Sequence, residues 1–265
     1  MKQVNKSTAS ATTIIFEQPL NERIRTFMRV EELYARCQHY AELEEAWDTH
    51  FALSTLLELT SLAGRGDLKR ELMKEIKRQL ASLEQLHNVP NVDKDTLINL
   101  ISTHNDLIAK LDQIHGQLIG HLKDNDFINS IKQRAVIPGG TCDFDLPAYH
   151  YWLTQSAKNR KEILTSWLQP FESVHHAVVH SLNLIRDSSE IEPCLAAKGF
   201  YQRNLDSNQP NQLIRVILDK NTQCFPEISA GKHRFSIRFL TQVTPEQYPK
   251  QIDKDINFKI ACCSF

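Results

Sequence analysis

Glycine is scarce in this chain, with 8 among 265 residues. Because nucleotide-binding loops and tight catalytic turns rely on glycine, its scarcity argues against both kinds of site. No apolar run approaches the roughly 18 residues that a membrane-spanning helix needs. The opening residues also lack the apolar stretch of roughly 7–15 residues that secretory signals contain. We therefore expect neither a secretory signal nor a membrane partner.

Cysteines are present but form no CxxC pair. A chain of this length can bury a core without disulfide bonds, so we expect reduced thiols in the cytoplasm. The vicinal pair near the chain end is a poor tetrahedral metal site, and we interpret it as structural. The cysteines are Cys37, Cys142, Cys194, Cys224, Cys262 and Cys263.

Charge is distributed unevenly, although the net charge is only -1. From Cys194 to Phe265 there are 10 Lys and Arg against 6 Asp and Glu, whereas residues 21–193 contain 19 basic and 25 acidic residues. The C-terminal part is therefore basic and the middle of the chain acidic. This asymmetry indicates an anionic partner for the C-terminal part.

Helical spacing dominates the middle of the chain. Residues 1–12 are polar and predict a disordered tail, and the β-branched segment 13–20 predicts a strand. Between 21 and 192, apolar residues recur every three to four positions, with Asn21 as the N-cap of the first helix and Pro170 as a late break. The stripes include Leu72, Ile76, Leu80, Leu83 and Leu86; Leu97, Ile101, Leu107, Leu111, Leu118 and Leu122; and Val174, Val178, Leu182 and Ile185.

A period of two replaces the helical period in residues 193–265. Phe235, Ile237 and Phe239 alternate with Arg234 and Arg238, which predicts a strand with one buried and one solvated face. The same alternation sets Ile214, Val216 and Leu218 against Leu213, Arg215, Ile217 and Asp219, and Ile256, Phe258 and Ile260 against Asp255, Asn257 and Lys259. We predict an α+β fold, with a multi-helix domain over 21–192 and a small antiparallel β-domain over 193–265. The strand at 13–20 is expected to join the sheet of the β-domain.

Two arrangements could support catalysis or metal binding. Cys142 and His150 form a possible nucleophilic dyad, but Asp145 and Pro147 read as the N-cap and first turn of a helix, so we interpret this segment as a turn and cap. His176 and His180 share a helix face next to His175, yet the Glu of a zinc-enzyme motif is missing. We predict no enzyme activity, no catalytic residue and no metal site.

RNA binding is the alternative that the C-terminal segment leaves open. KHRFSIRF (232–239) has the aromatic and basic residues of half an RNA-recognition strand. However, Phe235 and Phe239 alternate away from Arg234 and Arg238, which places the aromatic rings in the core. A basic face remains, and it suits an anionic peptide equally well.

Blocks along nearly the whole chain resemble the ZapD family of bacterial cell-division proteins. The blocks are FEQPLNERIRTFMRVEEL (16–33), IPGGTCDFDLPAYHYWL (137–153), KGFYQ (198–202), FPEISAGKHRFSIRF (225–239) and IACC (260–263). The resemblance implies a helical domain with a β-domain, a symmetric homodimer, and neither cofactor nor catalysis.

The resemblance also implies a partner and a site. Family members bind the flexible C-terminal tail of the tubulin-like protein FtsZ, cross-link its filaments and stabilise the division ring at mid-cell. The basic residues of the family's tail-binding cleft correspond here to Arg65, Arg234 and Arg238, and Arg25, Arg29 and Lys232 are further matched basic positions. On a strand, Arg234 and Arg238 point the same way, roughly 13 Å apart. We therefore expect FtsZ and a second copy as partners, and no nucleic acid.

Overall fold

The computed structural model describes residues 12–64, 67–90, 92–114, 118–206, 209–231 and 233–265. The tail predicted for residues 1–12 falls outside this range except for Thr12. The chain divides into two compact units, which we call the sheet unit (Met1–Arg25 with Leu182–Phe265) and the helical unit (Thr26–Ser181). The division passes through the first and last long helices.

Helices follow one another along the middle of the chain. Short 3-10 turns at 86–88 and 169–171 extend the third and eighth of them. The helices are α1 (Glu22–Ala41), α2 (Ala46–Gly64), α3 (Leu68–Gln85), α4 (Lys94–Asp112), α5 (Gly120–Lys123), α6 (Asp126–Arg134), α7 (Pro147–Leu153), α8 (Ala157–Leu168) and α9 (Glu172–Arg186).

Three predictions about helix boundaries can be compared with the structure. The Asn21 side-chain oxygen accepts the backbone N–H of Ile24 at 2.9 Å, which confirms the predicted cap of α1. Pro170 lies in the 3-10 turn between α8 and α9, as its break predicted. The prediction of Asp145 as an N-cap is wrong, because α7 begins after Leu146 and has no side-chain cap. The Asp145 carboxylate instead lies 3.7 Å from Nη1 of Arg134.

The apolar stripes form the core of the helical unit. Leu72 and Ile76 of α3 and Val174 and Val178 of α9 are fully buried. Helix α2 is buried on most of its circumference, because Thr49, Thr55 and Thr60 are buried together with its apolar residues. Its hydroxyls at positions 55 and 60 donate to carbonyls one turn earlier, so they enter the core without unpaired polar groups.

The described strands of the sheet unit form two antiparallel sheets. The first sheet has the order β1-β4-β8-β2, and the second has β3-β6-β5, with β7 paired to the end of β6. The N-terminal strand pairs with β4 along its whole length, from Thr13 opposite Asp219 to Pro19 opposite Leu213. The strands are β1 (Thr13–Pro19), β2 (Glu192–Ala196), β3 (Phe200–Asn204), β4 (Asn211–Asp219), β5 (Phe225–Ala230), β6 (Arg234–Thr241), β7 (Lys250–Gln251) and β8 (Ile256–Ser264).

The two sheets share one apolar core. Phe239 of the second sheet and Phe258 of the first have ring centroids 5.0 Å apart, and Tyr201 contacts Phe258 at 5.2 Å. The alternation predicted for β6 and β8 is confirmed, since their apolar residues are buried here. The remaining core residues include Ile214, Val216, Leu218, Phe235, Ile237, Ile256 and Ile260.

Strand β4 differs from its prediction. The face containing Leu213, Arg215 and Ile217 is also buried rather than solvated. β4 is an inner strand between β1 and β8, and its second face receives the end of α9, where the Arg215 Nη1 donates to the Arg186 carbonyl at 3.1 Å. A near-continuous apolar run is typical of a strand covered on both faces.

Candidate functional site

One face of the second sheet is open to solvent, and we call it the outer face. It carries the side chains that alternate away from the shared core on three adjacent strands. Phe235, Ile237 and Phe239 point inward and are buried, so Arg234 and Arg238 point outward. The outer face consists of Phe200, Gln202 and Asn204 on β3, Arg234, Ser236, Arg238 and Leu240 on β6, and Phe225, Glu227 and Ser229 on β5.

Strand register sets which outer-face residues are neighbours. Arg238 lies opposite Phe200 on one side and opposite Glu227 on the other. Side chains directly opposite each other in an antiparallel pair have Cβ atoms about 5 Å apart. The next pairs along the strands are polar, with Ser236 opposite both Gln202 and Ser229. The outer face is therefore charged and apolar around Arg238 and polar in its middle.

The two predicted arginines are not equivalent. Arg238 forms an ion pair with the Glu227 carboxylate, and both side chains are about half exposed. Arg234 is exposed on the same face, opposite Asn204. The structure therefore brings these two residues to one solvent-facing surface, as the sequence predicted for their side-chain direction. Whether they bind a partner stays a prediction.

A tight turn fixes the start of β3 and hence the position of Phe200. Lys198 and Gly199 both have positive φ, 49° and 68°, and the Phe200 N–H donates to the Ala197 carbonyl at 3.0 Å. Two consecutive left-handed residues are typical of a type I′ hairpin turn. A Cβ at position 199 would lie 2.4 Å from the Ile252 carbonyl oxygen, so only glycine fits there.

Of the other four predicted site residues, the structure describes two, and both lie on α1. Arg25 is on the first turns of α1, where its Nε lies 3.2 Å from a carboxylate oxygen of Glu22. Arg29 is exposed one turn further along the same helix and belongs to the helical unit. Arg65 and Lys232 lie outside the described residues. Among the predicted site residues that the structure describes, Arg234 and Arg238 are therefore the two that share one sheet surface.

Some basic residues of the sheet unit are buried and unavailable to a partner. Glu17 of β1 binds Arg186 through contacts of 2.9–3.3 Å, and the Arg215 Nε lies 3.0 Å from the same carboxylate. Both arginine side chains are at most 15% exposed. Arg215 belongs to the basic excess counted from Cys194 to Phe265, so that count overstates the positive charge of the surface by one residue.

A sequence model of the ZapD family, described as a cell division protein, matches residues 28–238. "Cell division protein ZapD" of Ralstonia pickettii is 40% identical over 253 residues, covering 95% of this chain and all of that protein. The proteins of the same name from Cupriavidus metallidurans and Methylococcus capsulatus are 39% and 36% identical, with similar coverage. The chain belongs to the ZapD family.

Membership in the ZapD family gives the protein a role in cell division. The family match spans both arginines of the outer face, together with Phe200 and Glu227, whereas Arg25 precedes it. The relatives that match along almost the whole chain are named as cell division proteins and not as enzymes. In the part of the chain that the structure describes, no helix is long and apolar enough to cross a membrane.

The segments considered for chemistry make structural contacts in this ZapD family member. The Cys142 carbonyl accepts the N–H groups of Asp145 and Leu146, which closes the turn before α7. The His175 ring stacks on Tyr34 at 3.9 Å, and His180 contacts His104. Burial raises the pKa of the Cys37 and Cys263 thiols to about 12, so both stay protonated. Among the described residues, no cluster of three His, Cys, Asp or Glu side chains is placed to hold a metal ion.

Phe200 and Glu227 are the outer-face residues that sequence reasoning missed. The alternation in FPEISA places Phe225, Glu227 and Ser229 on one face of a strand, and FYQRN does the same for Phe200, Gln202 and Asn204. That signal shows which residues share a face within each strand. It does not show that β3 and β5 lie on either side of β6 with these residues on the same side of the sheet. That arrangement depends on strand register, which the connecting loops help to set.

Proposed function

We propose that the protein binds the C-terminal tail of FtsZ on the outer face and, as a homodimer, cross-links FtsZ filaments at the mid-cell division site in the cytoplasm. The observation that supports this proposal is the presence of Arg234 and Arg238 on one exposed, amphipathic sheet surface in a ZapD family member. Two cations four residues apart on a strand suit contacts along an extended acidic segment better than a single bidentate grip.

Avidity explains how weak contacts hold filaments together. Each subunit holds one tail with modest affinity, because ordering a flexible tail costs free energy. A dimer engages two tails, and repeated engagement along two filaments raises the effective affinity without new contacts. Each contact still exchanges rapidly, which suits a ring that remodels.

Dimerisation has a candidate surface in the helical unit. Trp47 is 74% exposed, and Phe51 and Leu43 are also exposed nearby on the α1–α2 corner. Arg160 holds this corner in place, because its guanidinium donates to Thr49 Oγ1 at 2.9 Å and also to the Glu44 carbonyl. Lys161 of α8 pairs with Glu42 of the same corner. In a symmetric contact between two copies, the same patch faces itself, so this apolar centre would be buried against the same residues of the second copy.

RNA binding through the same basic face has less support than tail binding. Phe235 and Phe239 are buried, so neither ring can stack on a base. Phe200 is the aromatic residue that the outer face does expose, at 42%.

Co-sedimentation tests the proposed function directly. Filaments of full-length FtsZ and of FtsZ without its C-terminal tail are pelleted with this protein, and bundling is followed by light scattering. We expect pelleting and bundling with full-length FtsZ only. Equal pelleting with tailless filaments would contradict the proposal. A single-stranded RNA of matched charge, titrated separately, distinguishes the RNA alternative.

A further inference from the structure

The two ends of the outer face differ in polarity, which the positions of the two arginines alone do not show. At one end, Phe225 lies opposite Leu240, and both are partly buried. In the next row across the three strands, Phe200, Arg238 and Glu227 are aligned. The rows beyond contain Ser229, Ser236 and Gln202, and then Arg234 and Asn204. Apolar side chains therefore cluster around Arg238, whereas Arg234 has polar neighbours.

Phe200 is unusual for a solvated strand face. Its side chain is 42% exposed although alternate residues of β3 are polar, and the rigid turn at Lys198–Gly199 fixes where it stands. Its neighbour Tyr201 points into the core and contacts Phe235 and Phe258. The apolar surface of Phe200 therefore contributes little to the shared core. It remains available to an apolar side chain of a bound segment.

Glu227 occupies the position that a ligand carboxylate would take on Arg238. Its ion pair with Arg238 is exposed, and exposed pairs contribute little stability. An acidic segment approaching Arg238 must displace or share this carboxylate, and it is repelled by it. Glu227 therefore acts as an internal competitor for the same cation.

We propose that the outer face selects a segment with an acidic residue adjacent to an apolar one, in which Phe200 anchors the apolar side chain and Glu227 lowers affinity by competing for Arg238. This inference rests on the proposed function and names the chemistry that its site recognises. A weakened site is consistent with an avidity mechanism, because low single-site affinity keeps each contact exchangeable.

The two residues predict opposite effects on affinity for a fluorescently labelled FtsZ tail peptide. Removing the competitor with Glu227→Gln is expected to tighten binding about 3-fold, since one exposed carboxylate is removed. Removing the anchor with Phe200→Ser is expected to weaken binding about 10-fold, and Phe200→Leu to restore it to within about 2-fold of wild type.

Glu192→Gln is the matched control for Glu227→Gln. Glu192 is also about half exposed and forms an ion pair of 2.9 Å with an arginine, Arg203, but it lies on β2 of the first sheet. Both substitutions change net charge equally, so a general electrostatic effect would act in both. We expect unchanged affinity for Glu192→Gln. Circular dichroism checks the fold of each variant.

The outcomes separate this inference from the proposed function. Unchanged or weaker binding by Glu227→Gln would overturn the competitor role, and unchanged binding by Phe200→Ser would overturn the anchor. In either case, a loss of binding on reversing Arg234 and Arg238 would leave the proposed function standing. A wild-type protein that does not bind the peptide would overturn both.

Discussion

The Nε2 atom of His180 lies 3.3 Å from Nδ1 of His104 within the helical unit. His104 is fully buried, and its Nε2 lies 3.4 Å from Oε1 of Gln79. The Nε2 of the same Gln79 amide donates to Ser181 Oγ at 2.9 Å. Burial lowers the pKa of both histidines, and the neighbouring His104 contributes to the low value of about 4 for His180. The folded protein binds protons at these histidines less readily than the unfolded chain does. Acid therefore lowers its free energy of unfolding.

The first prediction is a loss of stability between pH 6.5 and pH 4. In this window the unfolded chain binds more protons than the folded chain, so the free energy of unfolding falls as pH falls. Full protonation of His180 is expected to cost roughly 2 kcal/mol, after discounting for its partial exposure. Urea unfolding followed by circular dichroism across this range measures the effect.

Variants identify the histidine responsible for that pH dependence. We expect His180→Asn to reduce the slope without abolishing it, because burial also lowers the pKa of His175 to about 4. His150→Gln serves as the control, since His150 is exposed on α7. An unchanged slope in His180→Asn would show that other groups cause the acid sensitivity.

The second prediction concerns the carboxylate shared by Arg186 and Arg215. Glu17→Gln leaves two poorly exposed cations without their counter-charge, and we expect a loss of about 3 kcal/mol in the free energy of unfolding. Glu192→Gln breaks an exposed pair in the same unit and is expected to change stability by less than about 0.5 kcal/mol. Thermal unfolding of both variants provides the comparison, and similar losses would contradict the assigned role of Glu17.

The third prediction is that reversing both outer-face arginines weakens tail binding. Arg234→Glu with Arg238→Glu replaces attraction by repulsion, and we expect at least about 10-fold lower affinity, equivalent to about 1.4 kcal/mol. Salt acts in the same direction, because the screening length falls from about 10 Å at 0.1 M to about 3 Å at 1 M. Peptide titration measures both effects, with circular dichroism as the fold control. Equal affinities would place the tail elsewhere.

The fourth prediction is that no chemistry depends on Cys142. This residue is exposed, and its backbone carbonyl closes the turn before α7. Cys142→Ser keeps that carbonyl and is expected to leave FtsZ bundling unchanged, with little effect on stability. Light scattering with FtsZ filaments measures bundling. A folded Cys142→Ser protein that fails to bundle would require a functional thiol.

The fifth prediction concerns the oligomeric state. Light scattering at micromolar concentration is expected to give about twice the chain mass of 30.5 kDa. Trp47→Ser with Phe51→Ser removes the apolar centre of the proposed contact and is expected to give a monomer. Tyr248→Ser, at an exposed position of the sheet unit, is the control and is expected to remain a dimer. A wild-type monomer would remove the cross-linking mechanism, and a dimeric double variant would place the contact on another surface.

Local features were readable from the sequence because they depend on neighbouring residues. The Asn21 cap, the break at Pro170 and the alternation in β6 and β8 each follow from a few adjacent side chains and from backbone geometry. The strand at Thr13–Pro19 was also recognisable, because β-branched residues precede a proline. The family resemblance came from blocks of sequence and was confirmed by the comparisons.

Features that depend on what covers a residue were decided only by the tertiary structure. Alternation predicted a solvated face for β4, but β4 is an inner strand that is covered on both faces. Arg215 on that face is therefore buried, and its charge is balanced by the Glu17 carboxylate. Asp145 reads as a cap, but α7 begins only after Leu146, and the Asp145 carboxylate lies 3.7 Å from Nη1 of Arg134. The alignment of Phe200, Arg238 and Glu227 likewise depends on the register of three strands. Register is a long-range property, because it is fixed by loops and by the packing of two sheets rather than by the residues that it brings together.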